Sequence, residues 1–175
     1  MRRVLTAEDA LAQLGEGRPI EDATIADEVR LRQLSEDKTS VPVLLRRCHL
    51  EGLSALLLQF SAPVVFEDCT FRTANFYAAY FLRGAEFINC TFLTEVSFEC
   101  GGHNEPSVRF RLAGCTFRGF VNFFDNWFHG LVEIRECAFE RGTNLLGNIG
   151  QPFAVRFEVP PIIEGNTGDL ALDGG

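Results

Sequence analysis

The chain is poor in lysine, tryptophan and tyrosine: among 175 residues Lys38 is the single lysine, and there are one Trp and two Tyr. Acids outnumber bases, 24 to 16, for a net charge of −8. A shortage of bases excludes a general nucleic-acid binder, because phosphate contacts need a basic surface. No apolar run approaches the roughly 18–20 residues that span a bilayer, so no membrane insertion is expected. The start, MRRVLTAEDALAQL, has Glu8 and Asp9 where a signal peptide needs its apolar stretch, and a cytoplasmic location is expected. A phosphate-binding glycine loop, an H-E-x-x-H pair and a Ser-His-Asp arrangement are all lacking, so the chain is not expected to be an enzyme or to hold a cofactor or metal. The charge is also uneven: residues 1–40 carry −3, residues 41–160 only −2, and residues 161–175 again −3.

Phenylalanine is abundant, with 17 copies, and it recurs in rhythm. Phe60, Phe66, Phe71, Phe76, Phe81, Phe87, Phe92 and Phe98 are separated by five or six residues. The rhythm resumes at Phe110, Phe117, Phe123, Phe128, Ile134, Phe139 and Leu145. Two residues before almost every one sits a small or β-branched residue, such as Val64, Cys69, Ala74, Ala79, Ala85, Cys90 and Val96, with a more polar residue usually between. Inward, outward, inward is the alternation of an extended segment, but these pieces are too short for ordinary strands, so each must end in a corner. Four steps make 21 residues from Phe66 to Phe87 and again from Leu45 to Phe66. Square coils stacked at about 4.8 Å, each pairing with its neighbours, account for both periods.

Ala74-Asn75-Phe76 and Ala85-Glu86-Phe87 resemble the pentapeptide-repeat family, whose repeat places a small residue, a polar residue and a central Leu or Phe in succession. The resemblance covers about residues 18–157. It implies an all-β fold, a right-handed quadrilateral β-helix (a solenoid) of about six coils. Ahead of it, residues 1–17 read as a short capping helix with Thr6 as N-cap, Gly15 as terminator and Leu5, Ala10, Leu11 and Leu14 sealing the stack. ECGGHNEPS, residues 99–107, breaks the phase and reads as a protruding loop, and Leu112-Ala113-Gly114 as a bulge. Residues 158–175, after Pro160-Pro161 interrupts the rhythm, read as a cap and a flexible acidic tail.

Cys48, Cys69, Cys90, Cys115 and Cys137 recur every 21–25 residues at the inward small position. None has a close-spaced partner of the kind structural zinc uses, so they read as a core column beside the phenylalanines rather than as redox or metal chemistry. Cys100 lies off the column, with His103 three residues on, and this pair could serve as nucleophile and base or as half a metal site. His49 and His129 should face solvent from separate coils. With no pocket expected inside, the leading function is a non-catalytic module that binds another protein through a coil face or the loop bearing Cys100, Gly101, Gly102, His103, Asn104 and Glu105. The resemblance implies an alternative: some family members imitate duplex DNA and act on type II topoisomerases. That role needs an acidic stripe, and nine arginines from Arg46 to Arg141 are interspersed along the coils. A third reading is redox or metal-dependent activity at Cys100 and His103. A homodimer through an uncovered terminal coil is compatible with this sequence.

Overall fold

A two- or three-residue extended piece cannot satisfy its own backbone, so its N–H and C=O groups must be met from outside the segment. In the computed structural model, which describes residues 2–175, they are met by the equivalent piece one coil above or below. Val64 pairs with Ala85 and Phe66 with Phe87, parallel and in register. The result is a β-solenoid of about six coils with one short helix at its N-terminal end.

Four faces are repeated up the stack. Face one is a seven-stranded parallel sheet running from Ile20–Glu21 through Val43–Arg46, Val64–Glu67, Ala85–Ile88, Phe110–Ala113 and Val132–Arg135 to Ile162–Glu164. Faces two and three belong to one bent sheet: Ala23–Arg30, His49–Ser54 and Thr70–Asn75 cross both, and higher coils split into pairs such as Thr91–Phe92 and Val96–Ser97. Face four holds Lys38–Thr39, Gln59–Phe60, Trp127–Phe128 and Arg156–Phe157, with single bridges through Tyr80 and Gly102 between the second and third of these. After face one every coil turns at a residue in the left-handed region: Asp22, Arg47, Asp68, Asn89, Gly114, Glu136 and Gly165, with φ from 51° to 67°.

The interior is filled by stacked rings. Phe71, Phe92, Phe117 and Phe139 lie parallel at successive centroid distances of 4.8, 4.8 and 5.0 Å. Phe76, Phe98 and Phe123 form a second column at 5.0 Å spacing, and Phe66 and Phe87 stack at 5.2 Å. Each ring is buried, worth about 1.5–3 kcal/mol in transfer terms, with about 0.5–1.5 kcal/mol more per aromatic contact.

The cysteine column is buried beside the rings, and its thiols also have polar work. Each follows a left-handed corner and shares the carbonyl two residues before it with a backbone N–H of the coil below. Cys69 Sγ donates toward the carbonyls of Glu67 (3.3 Å) and, one coil below, Leu45 (3.5 Å). Cys48, Cys90 and Cys115 repeat both contacts. In the last coil Asn166 takes the column's place, its Nδ2 donating to the Ile134 carbonyl at 2.9 Å. Burial pushes the Cys90 thiol well above its ordinary value.

Three boundaries differ from expectation. The helix Ala7–Gly15 has the Thr6 cap, completed as a capping box by Asp9, but the left-handed residue after it is Gly17 (φ 70°) rather than Gly15. Ahead of it Arg3–Leu5 pairs parallel with Ala23–Ile25, an extra strand below the first coil. At the other end, residues 158–175 continue the coil: Ile162–Glu164 extends face one, Thr167 bridges Ala138, and the Asp169 and Leu170 carbonyls accept from Thr143 and Leu146. Pro160-Pro161 does not end the stack, because it stands at the corner entering face one, as Pro42 and Pro63 do before Val43 and Val64. No helix among the described residues is long and apolar enough to cross a membrane.

Candidate functional site

Register places the phase break that follows Phe98 on face four. The Tyr80 carbonyl accepts from Phe60 N, the Gly102 carbonyl from Phe81 N, and the Trp127 carbonyl from His103 N. His103 therefore occupies the level at which Phe60, Phe81, Phe128 and Phe157 place rings inside. Its φ of 57° turns the imidazole outward instead, against Tyr80, with ring centroids 4.1 Å apart. Gly102 before it is held tightly, since an added Cβ would lie 2.8 Å from the Trp127 carbonyl oxygen.

The missing interior ring is replaced from face one. Phe110 pairs with Ala85 and Val132, which are small positions, while Leu112 aligns with Phe87 and Ile134. The Phe110 ring lies 5.6 Å from Phe81 and 5.2 Å from Phe128, filling the gap that His103 leaves. The bulge expected at Leu112-Ala113-Gly114 is thus absent: Leu112 continues the large column and Gly114 is the ordinary left-handed corner. The extra residues precede Phe110.

The phase-breaking segment is correspondingly shorter than 99–107. Phe98 stacks in its column, Cys100 takes the left-handed corner (φ 56°) that Ala78 and Asp125 take on neighbouring coils, and Gly101 and Gly102 are buried. Asn104 is fully buried and clamps the insertion, its Nδ2 donating to the carbonyls of Val108 (3.0 Å) and Leu131 (3.2 Å). Only Pro106, Ser107 and Arg109 are well exposed, and Glu105 pairs with Arg83 at 2.7 Å. Cys100 and His103 share no hydrogen bond among the described residues. Cys100 lies beside Tyr77, its thiol raised chiefly by burial.

His103 is joined instead by residues from other coils. His129, expected alone in solvent, places Nε2 3.3 Å from His103 Nδ1. Its Nδ1 lies 3.0 Å from Glu158 Oε1, which also accepts from Trp127 Nε1 at 3.0 Å. A carboxylate only accepts, so Nδ1 of His129 carries the proton and, in the neutral ring, Nε2 accepts from His103. Burial and the neighbouring His129 lower the His103 pKa from its ordinary value. Trp127 is 39% exposed, 4.6 Å from the His129 ring, with the Arg156 guanidinium 5.6 Å over it. The only Trp, one of two Tyr and two of three His thus share one outward patch. A groove of about 290 Å³, lined by Tyr80, Leu82, His103, Glu105, Pro106 and His129, runs beside it. A spacing of 26 residues, close to one coil, links His103 with His129 in the sequence and was the available signal.

Face one carries charge of both signs. Arg46 reaches Glu21 and Glu67, Arg109 and Arg111 both reach Glu86 and Glu133, and Arg135 joins Glu133 to Glu164. Acid and base alternate up the stack, so this face is not an acidic stripe. Among the described residues no three His, Cys, Asp or Glu side chains converge as a metal-binding group. No protein-family model, curated protein or solved structure matches the chain.

Proposed function

We propose that the chain is a non-catalytic protein-interaction module of the pentapeptide-repeat type, whose partner docks on face four beside the 103–109 insertion. The observation that carries this reading is the clustering of Tyr80, His103, Trp127 and His129 on the outside of a solenoid whose phenylalanine columns are buried. Trp, Tyr and Arg are the side chains that most often dominate binding energy at interfaces, and here they are presented by a stiff scaffold at little entropic cost. Asn104 and the buried glycines hold the insertion in place, and contact falls to Tyr80, Trp127, Arg156 and the Pro106-Ser107 tip. The DNA-mimic alternative, with a topoisomerase as partner, gains nothing from the Arg–Glu ladder of face one. Redox or metal-dependent activity of a Cys100–His103 pair gains nothing from the separation of those two side chains.

The test is quantitative cross-linking in the native host with the wild type, with Trp127→Ala and Tyr80→Ala, and with an Arg72→Ala control on another face. Partners captured by the wild type and the control should be lost from both aromatic variants. An identical partner set in all four proteins removes face four as the docking surface.

A further inference from the structure

We infer that His103 and His129 form a binding site for a borderline divalent transition-metal ion such as Zn²⁺ or Ni²⁺, with Nδ1 of His103 and Nε2 of His129 as its two protein ligands. This goes beyond the interaction reading and does not depend on it.

Three features of the pair support the inference. The first is separation: two nitrogens bound to one tetrahedral ion at about 2.0–2.1 Å each lie about 3.3–3.4 Å apart, and here the two facing nitrogens are 3.3 Å apart. The second is the outer partner. Glu158 holds Nδ1–H of His129, which fixes the tautomer and directs the Nε2 lone pair at His103. A carboxylate behind a ligating imidazole is the arrangement that orients histidine and raises its basicity in metal sites. The third is preorganisation. Both rings are outward on successive coils, the His103 backbone is fixed by its 2.7 Å hydrogen bond to Trp127, and the rings pack against Tyr80 at 4.1 Å and Trp127 at 4.6 Å.

Ion entry replaces the hydrogen bond between the rings. The proton on His103 Nδ1 leaves to solvent and Nε2 of the same ring takes one up, so both imidazoles stay neutral. Imidazole donors select Zn²⁺, Ni²⁺ or Cu²⁺ over Mg²⁺ and Ca²⁺, which prefer oxygen. Because no third side chain converges among the described residues, the remaining positions belong to water and open onto the groove lined by Leu82, Glu105 and Pro106.

Trp127 is the sole tryptophan and adjoins His129, so it reports on the site directly. Full-length protein freed of metal by a chelator would be titrated with Ni²⁺ by tryptophan fluorescence and with Zn²⁺ by calorimetry. The expected result is one equivalent bound, with Trp127 emission quenched by Ni²⁺ and no response to Mg²⁺. His103→Asn, chosen because asparagine tolerates the left-handed backbone, and His129→Gln should each weaken binding by about tenfold or more, and Glu158→Gln by about tenfold. His49→Gln should bind as the wild type does, and far-UV circular dichroism should show every variant folded. Wild-type affinity in either His103→Asn or His129→Gln overturns the site, as does loss of binding in His49→Gln or an absence of saturable binding in the wild type.

Discussion

The turn from Phe66 to Phe87 and the turn from Phe87 to Leu112 are neighbours built on the same plan, yet only the second makes a surface feature. In the first, every centre is a phenylalanine, Phe81 points inward on face four and Ala85 is the small residue beside it. In the second, His103 takes the level of Phe81 and turns out, while Phe110 takes the level of Ala85 and turns in. The core loses a ring on one face and regains it from the next. A packed solenoid can release a side chain for other use when a neighbouring position restores the lost volume, because voids are what a close-packed interior tolerates least.

The largest effect should come from removing rings on either side of this exchange. Phe76→Ala in the regular turn and Phe110→Ala in the altered one should each cost about 3–5 kcal/mol in denaturant unfolding, although Phe110 stands in the small column. A cost below about 1 kcal/mol at Phe110 would show that its ring is not the replacement described. A smaller loss is expected from Asn104→Ala, about 1–3 kcal/mol, because the Val108 and Leu131 carbonyls lose their buried donor. Hydrogen exchange should quicken at Gly130, whose N–H is bonded to Asn104, while the amide of Ala85 in the regular turn keeps its protection. The smallest effect concerns pH. The folded protein holds the His103 pKa below its unfolded value of about 6.5, so the unfolded chain binds the extra proton first. The contribution of His103 to stability is therefore complete above about pH 6.5 and lost as pH falls through the lower folded value. His103→Asn should flatten that part of the stability profile.

The phenylalanine ladder made the coils readable because ring size and spacing are local properties of the chain. Stacking register is not local, and the misreadings follow from that. Phe110 has the identity of a central residue, and only its pairing with Ala85 and Val132 reveals that it occupies the small column. Pro160-Pro161 reads as a stop because proline usually ends a ladder, yet a square coil has a corner where no ladder N–H is needed. The period of Cys48, Cys69, Cys90, Cys115 and Cys137 points to the core, and all five are buried. Their hydrogen bonds to corner carbonyls depend on backbone bends that no side-chain pattern records. The face-four cluster is the least legible feature, since Tyr80, His103, His129 and Glu158 meet only when four coils are superposed.

The left-handed corner after face one has a consequence for how such a molecule can change in length. From Asp22 to Gly165 these corners form one vertical seam, although the turns between them range from 21 to 29 residues. Extra residues are absorbed elsewhere on the circuit, and the seam stays aligned. Growth by splicing is therefore quantised: a segment cut and joined at two seam residues, such as Asp68 and Asn89, adds or deletes a whole storey and leaves every remaining ring over a ring.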